Sequence, residues 1–296
     1  MSCGREPERT VLVVSEPQLI DLRHLGHERV IAAYLLDTPD GPALFDCGPA
    51  TTVETLREAL AEHGLAVADL RHLLLSHIHF DHAGAAGVLV RENPRLTVHV
   101  SAVGAPHLVD PSRLERSARR LYGDTFDALW GALVPIPEEN VHIVGERVLD
   151  FDCFPSPGHA AHHVCYLRDG LLLAGDAAGV RIDPAVRVIP PTPPPDIDVE
   201  AWDATLDEIG RRRPERLALI HFGIFDDVAR HLAELRERLH HNAELVASGV
   251  TEAEFVAASH AHLGDDADRF EHAVPASQCF QGLARYWEKH RAATAG

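Results

Sequence analysis

The chain has 296 residues, 27 Lys+Arg against 45 Asp+Glu for a formal charge of −18, and 46 % hydrophobic residues. That length buries a full core and that composition is globular rather than disordered, while the acidic balance excludes a nucleic-acid partner, which needs clustered Lys/Arg to neutralise phosphates. Lysine is reduced to Lys289 whereas histidine reaches 21, a composition that suggests metal chemistry ahead of Schiff-base or phosphate-loop chemistry.

In chain order, Val11–Val14 and Val30–Leu36 read as strands. Asp40-Gly41 turns the chain back through Pro42–Phe45 as a hairpin that ends at Asp46-Cys47-Gly48. A helix follows: Thr51 and Glu54 are spaced as a capping box, Val53, Leu56 and Leu60 share a face, and Gly64 stops it. Leu73–Leu75 is a short apolar run expected to be a strand buried on both faces. It leads directly into Ser76–His82, the densest polar cluster in the chain, and then into the small residues Ala83–Gly87. A strand at Thr97–Val100 and short helices up to about Trp130 complete the first half.

The second half has a similar element order. Strands are expected at Val141–Val144, Val148–Phe154, Val164–Leu167 and Leu171–Ala174. Five prolines between Ile189 and Asp196 exclude a regular element there. A helix around Ala201–Arg211 precedes the strand Leu217–Ile220, which ends at His221. Strands mixed with helices in two similar halves suggest an α/β sandwich of packed layers. From Asp226 onward the pattern is helical. Val228, Leu232, Leu235 and Leu239 form a stripe expected to pack on the core, and Thr251 with Glu254 forms a second capping box.

Met1–Ile20 lacks the charged start and long apolar stretch of a signal peptide, so none is expected. No apolar run approaches the ~20 residues that span a bilayer. Cys3, Cys47, Cys153, Cys165 and Cys279 are odd in number, dispersed and without a CxxC spacing, as expected of reduced thiols in a cytoplasmic protein.

The chemistry concentrates in Ser76-His77-Ile78-His79-Phe80-Asp81-His82. Residues two apart in an extended segment project to one side, so His77 and His79 can converge on one ion. If the chain turns helical near Ala83, Asp81 and His82 project toward a neighbouring position, giving two adjacent sites from one loop. Imidazole and carboxylate suit Zn, Fe, Mn or Co. One loop cannot close two sites, and three further candidates lie at the ends of expected strands: His159 in Ser156-Pro157-Gly158-His159, Asp176 after Gly175, and His221. His162 and His163 read as supporting or core residues. His107 and the prolines Pro190–Pro195 are candidates to border a substrate pocket, and His240, His241, His260 and His262 read as solvated.

This set resembles the metallo-β-lactamase fold superfamily: HxHxDH at His77–His82, PGH at His159, GD at Asp176, a late His221, and a DxG at Asp46, over Val11 to about Phe225. The resemblance implies a four-layer αββα sandwich, with residues 1–225 as the metal-binding catalytic domain and 226–296 as a C-terminal helical appendage. It implies that His77, His79 and His159 bind one divalent ion, that Asp81, His82 and His221 bind a second, that Asp176 bridges both, and that Asp46 orients a ligand. Zinc is expected, with iron or manganese as alternatives.

No cysteine falls at a ligand position and Asp176 is present, a pattern similar to glyoxalase II and the acyl-homoserine lactonases, although the tail has no basic cluster of the glutathione-binding kind. The expected reaction is hydrolysis of an ester, lactone or thioester by a hydroxide bridging the ions, with Asp81 relaying a proton to the leaving group. The rival from another reaction class is an iron-dependent persulfide dioxygenase, which shares the fold and relies on one iron. The partner expected is a small molecule, with no membrane and no nucleic acid; the oligomeric state is open, a homodimer included.

Overall fold

The computed structural model describes residues 16–294. The expected strand at Val11–Val14, and Cys3, lie outside the described residues. The first sheet is built, in spatial order, from β1 (Gln18–Asp21), β2 (Ala32–Thr38), β3 (Gly41–Phe45), β4 (His72–Leu74), β5 (Thr97–Val100) and β6 (Val141–Ile143). β2 and β3 form the expected hairpin, and β3, β4, β5 and β6 run parallel. Parallel strands are covered on both faces, and the sequence obeys: Leu73 and Leu74 of β4 and Leu44 and Phe45 of β3 are all fully buried.

The second sheet comprises β7 (Arg147–Val148), β8 (Phe151–Pro155), β9 (Val164–Arg168), β10 (Leu171–Leu173), β11 (Arg216–Leu219) and β12 (Gly223–Phe225), again neighbours in that order. β7 to β10 form an antiparallel meander. β11 returns parallel to β10 through α7 (Val199–Arg212).

The two sheets face each other across one apolar core. Polar ties cross it as well: the Tyr34 hydroxyl donates to the Leu219 carbonyl at 2.7 Å, and the Tyr166 hydroxyl to the Leu75 carbonyl at 2.9 Å. Outside the first sheet pack α1 (Val53–Glu62), through Leu56 and Leu60, and α3 (Ala86–Glu92), through Leu89 and Val90. Outside the second, Ile209 of α7 and Leu232 of α8 (Val228–Ala247) meet Phe154, Cys165, Leu172 and Leu217 in a separate cluster. The architecture is the four-layer αββα sandwich.

Between α3 and β6 lie the one-turn α4 (Ala105–Val109) and a helical hairpin of α5 (Ser112–Tyr122) and α6 (Phe126–Trp130). After α8 come α9 (Glu252–Leu263), α10 (Ala267–Ala273) and α11 (Ala276–Thr294). The α8 stripe packs inward as expected: Leu235 and Leu239 join Phe255, Phe270 and Leu283 in the same core as the sheets.

Several local expectations are corrected. Val148–Phe154 is two strands, because Leu149 takes a left-handed φ of 52° and turns the chain. The Thr51/Glu54 capping box does not form: the Thr51 hydroxyl donates instead to the Leu129 carbonyl at 3.0 Å, and Glu54 pairs with Arg57. The Thr251/Glu254 box does form, with Thr251 N–H donating to Glu254 at 2.8 Å and Glu254 N–H to the Thr251 hydroxyl at 3.3 Å. The edge strands β1 and β12 are too short to leave a periodicity signal. Cys47, Cys153, Cys165 and Cys279 are free and buried.

Candidate metal centre

All seven candidate ligands lie on one rim of the sandwich, in the segments that follow strands β4, β8, β10 and β11. The loop after β4 carries His77 and His79. The short helix α2 (Phe80–Ala83) then begins, and turns Asp81 and His82 to the next position. His159 follows β8, Asp176 follows β10 and His221 follows β11.

The ligand atoms fall into three overlapping groups, each within 4.8 Å: His77, His79 and His159; His77, His82 and Asp176; and Asp81, His82 and His221. In the first, His77 Nε2, His79 Nδ1 and His159 Nε2 lie 2.9–3.2 Å apart. Donor atoms around a tetrahedral ion with bonds of ~2.0–2.1 Å sit about 3.3 Å apart. In the third, Asp81 Oδ2 lies 3.3 Å from His221 Nε2 and 3.6 Å from His82 Nε2. Asp176 reaches both positions, with Oδ2 at 3.3 Å from His159 and Oδ1 at 3.5 Å from His82 and 3.7 Å from His221.

The far nitrogens of four rings are committed. A backbone carbonyl can only accept, so His159 Nδ1 donates to Pro191 O at 2.8 Å and His221 Nδ1 donates to Val30 O at 2.5 Å. His82 Nδ1 donates to Asp46 Oδ2 at 2.8 Å. Ser76 donates its hydroxyl to the same carboxylate at 2.7 Å, which leaves its oxygen to accept from His77 Nδ1 at 3.0 Å. The inward nitrogens of neutral His77 and His159 therefore carry lone pairs and face each other at 3.2 Å, while those of His82 and His221 face the Asp81 and Asp176 carboxylates. Lone pair against lone pair is repulsive, and cations between them resolve it. His82 Nε2 and Asp176 Oδ1 are buried without any hydrogen-bond partner, so the donor set fits divalent ions.

Electrostatics agree. Burial, and then the neighbouring rings, hold His77 and His79 well below the usual histidine pKa. Burial also lowers His159, against the opposing pull of Asp176. All three are thus neutral, the form that ligates. At His82 burial again pulls down, but Asp176, Asp81 and Asp46 outweigh it and raise the ring; His221 is raised in the same way by Asp176 and Asp81. The negative field that favours a proton there equally favours a cation. Asp81 and Asp176 are pushed up by burial, yet His82 and its neighbours outweigh this and keep both carboxyls below their ordinary value.

Asp46 lies fully buried beneath the centre and accepts the Ser76 N–H at 2.7 Å as well. His163 accepts the backbone N–H of Asp176 at 3.2 Å and donates from Nδ1 to Ser156 at 2.7 Å, and His162 stacks on His77. Ser76 and the two carbonyls make supporting contacts that residue-type patterns do not mark, whereas His163 is one of the residues read as supporting or core. The proline segment backs the site through Pro191, while His107 lines a cavity with Ile78 and Phe80 behind the ligand loop. Beside Asp81 stands an aromatic wall: Trp130 lies 5.8 Å from Phe80 and 5.4 Å from Tyr122, whose hydroxyl is raised by burial and then by the Asp81 charge. Among the tail histidines, His240 bonds Asp203 at 2.7 Å and His260 bonds Glu271 at 3.1 Å, while His262 corrects the solvated reading by lining an internal cavity.

An αββα sandwich with convergent His and Asp side chains on its rim defines a class of metal-binding protein. The chain belongs to the metallo-β-lactamase superfamily, whose family model matches residues 28–221. A metallo-β-lactamase fold-containing protein of Sulfurisphaera tokodaii is 27 % identical over 164 residues, 52 % of this chain and 61 % of that protein. A hydroxyacylglutathione hydrolase of Salmonella paratyphi A is 31 % identical over 123 residues, 40 % of this chain and 36 % of that enzyme. The match thus spans less than two thirds of either relative's length. Among solved structures, a protein crystallised in a di-iron-bound form superposes with a TM-score of 0.52 at 25 % identity, covering 69 % of this chain and 93 % of that one.

Proposed function

We propose that this protein is a binuclear metal-dependent hydrolase acting on an ester, lactone or thioester carbonyl. His77, His79 and His159 would hold one divalent ion, Asp81, His82 and His221 the other, and Asp176 would join them. The observation that carries this reading is the division of the Asp176 oxygens between the two groups, with Oδ2 toward His159 and Oδ1 toward His82. Zinc is the first expectation, with iron or manganese as alternatives; a di-iron form is described for one solved relative.

Divalent ions bound there lower the pKa of coordinated water toward ~7 and polarise a carbonyl. The chain's own residues supply the rest. Asp46, Ser76 and the carbonyls of Val30 and Pro191 fix the ring orientations. Asp81, whose side chain is 21 % exposed beside a nearly closed His221, is the carboxylate placed to pass a proton to a leaving group. Phe80, Tyr122 and Trp130 form the wall on that side, suited to an apolar acyl chain or ring.

A thioester is supported by the similarity to hydroxyacylglutathione hydrolase. A small molecule, not a nucleic acid, is the partner that the −18 charge supports. Residues 1–225 would be the catalytic unit and 226–296 its helical appendage. No helix among the described residues is long and apolar enough to cross a membrane, and four buried free thiols support a cytoplasmic site of action.

Metal content per chain, measured with rates on lactones, thioesters, phosphodiesters and a β-lactam, tests the reading. Two ions and hydrolysis abolished by chelation and by His79→Ala are expected. One iron per chain with oxygen uptake on a persulfide would replace it with the dioxygenase reading.

A further inference from the structure

The C-terminal helices do not close completely on one another. Between α8, α9, α10 and α11 and the segment ending at Ile189 lies a cavity of about 30 Å³, room for one or two waters or the head group of a small ligand. Arg238 of α8 borders it. Among the described residues this arginine makes no ion pair, and its hydrogen bond goes to Nδ1 of His262 on α9 at 2.7 Å. A guanidinium only donates, so Nδ1 accepts and the proton of the neutral ring sits on Nε2. That Nε2–H is buried with no partner. Asn242, one turn beyond Arg238, lines the same cavity at 7 % exposure, and its amide makes no hydrogen bond with the described residues. Buried polar groups are nearly always partnered, and here the His262 Nε2–H is not, on a cavity that Arg238 and Asn242 also line.

Charge selects the ligand. Burial lowers Arg238, opposed by the Glu237 charge and reinforced by Arg187, and burial, Arg238 and Arg187 lower His262 to about 4. The acids nearby are engaged or solvated. Glu234 bonds Arg230 at 3.0 Å and the Val188 N–H at 3.1 Å, and Glu237 faces solvent. Glu271 lies on the cavity wall but accepts from His260 at 3.1 Å and from the first N–H of α11, at Ala276, at 3.2 Å. Arg238 and the His262 Nε2–H thus border the cavity as donors, while the carboxylate on its wall, Glu271, is held through Oε2 by His260 and Ala276.

We infer that this cavity is a binding site for a small oxyanion, a carboxylate or phosphate group, held by Arg238, the Nε2–H of His262 and the Asn242 amide. It is separate from the metal centre and independent of the hydrolase reading. Its wall at Cys279 adjoins Pro190, whose carbonyl lies 3.9 Å from the Cys279 thiol, next to the Pro191 carbonyl that holds His159.

The test is calorimetric titration of the metal-loaded protein with inorganic phosphate and, separately, with acetate, at constant ionic strength. Wild type is expected to bind at least one of them at this site. Arg238→Gln and the near-isosteric Asn242→Asp should each weaken that event at least tenfold with metal content unchanged, while Arg120→Gln, on the exposed face of α5, should not. Any binding at the metal centre persists in every variant, so the difference between variants reads the cavity. Saturation by phosphate alone assigns a phosphate group, and by acetate as well a carboxylate. Isotherms of Arg238→Gln and Asn242→Asp that superpose on wild type, or no binding of either anion, would overturn the proposal and leave the cavity to water.

Discussion

Asp176 holds its Oδ2 3.3 Å from His159 Nε2 and its Oδ1 3.5 Å from His82 Nε2, and Oδ1 has no hydrogen-bond donor. A buried carboxylate oxygen without a donor costs several kcal/mol unless a charge compensates it. Asp176→Asn keeps the shape and removes the charge that both positions share. The expected result is a fall from two ions per chain to one or fewer. The hydrolytic rate should drop by more than about 100-fold, beyond the 10–100-fold of a change outside the ligands. Elemental analysis beside the rate assay decides it: two retained ions would remove Asp176 from between the sites.

Asp46 acts one layer further out. Its Oδ2 accepts both His82 Nδ1–H and the Ser76 hydroxyl, and its Oδ1 accepts the Ser76 N–H. An asparagine has one acceptor oxygen and an NH₂ that points a donor at a donor. Asp46→Asn should therefore loosen His82 and weaken one ion by about 10–100-fold, leaving the other nearly unchanged. Competition with a chromogenic chelator reads the two affinities separately, and equal weakening of both would contradict this role.

These two residues mark where the sequence is legible. The candidate ligands come from residue types with few other reasons to cluster, so His77, His79, Asp81 and His82 were visible from spacing, and His159, Asp176 and His221 from their places after apolar runs. What fixes the rings is less visible. Val30 and Pro191 act through backbone carbonyls, which any residue possesses, from positions 191 and 32 residues away from the rings they hold. Local rules failed where tertiary contacts compete: Thr51 fits a capping box, yet a carbonyl on α6 takes its hydroxyl. His262 is a polar side chain in the last turn of α9, and only the packing of the C-terminal helices covers its Nε2.

The segment that holds His159 is itself braced by α11. A Cβ on Gly282 would lie 1.9 Å from the Thr192 carbonyl oxygen, and the Thr192 hydroxyl donates to the Cys279 carbonyl at 3.1 Å. Gly282→Val must push the proline segment away or distort the helix, an overpacking cost of about 1–3 kcal/mol. The same shift moves the Pro191 carbonyl, so metal at the His159 position should weaken too. Gly210→Ala on α7 is the control. Nothing lies within 4 Å of its Cβ, and the substitution should be neutral or stabilise by up to about 1 kcal/mol. Urea midpoints and metal content of the two variants check the pair; a Gly282→Val protein with native values of both would show that α11 does not brace the site.

Acid sensitivity should arise away from the metal centre as well. His99 on β5 is 4 % exposed and bonds His72 Nδ1 at 3.0 Å, with His142 of β6 edge-on beside it and Asp40 facing His72 at 4.0 Å. Burial, and then the charges of His72 and His142, pull His99 down to about 3 from 6.5. Between those values the unfolded chain binds a proton that the folded chain refuses. Stability is therefore complete above pH 6.5 and is lost as pH falls toward 3, by at most about 1.4 kcal/mol per pH unit. His99→Leu removes this proton linkage while leaving the acid sensitivity of the metal ligands. Urea midpoints measured from pH 7.5 down to pH 5 should fall more steeply for wild type than for the variant. Parallel lines for the two proteins would mean that His99 is protonated as readily in the fold as outside it.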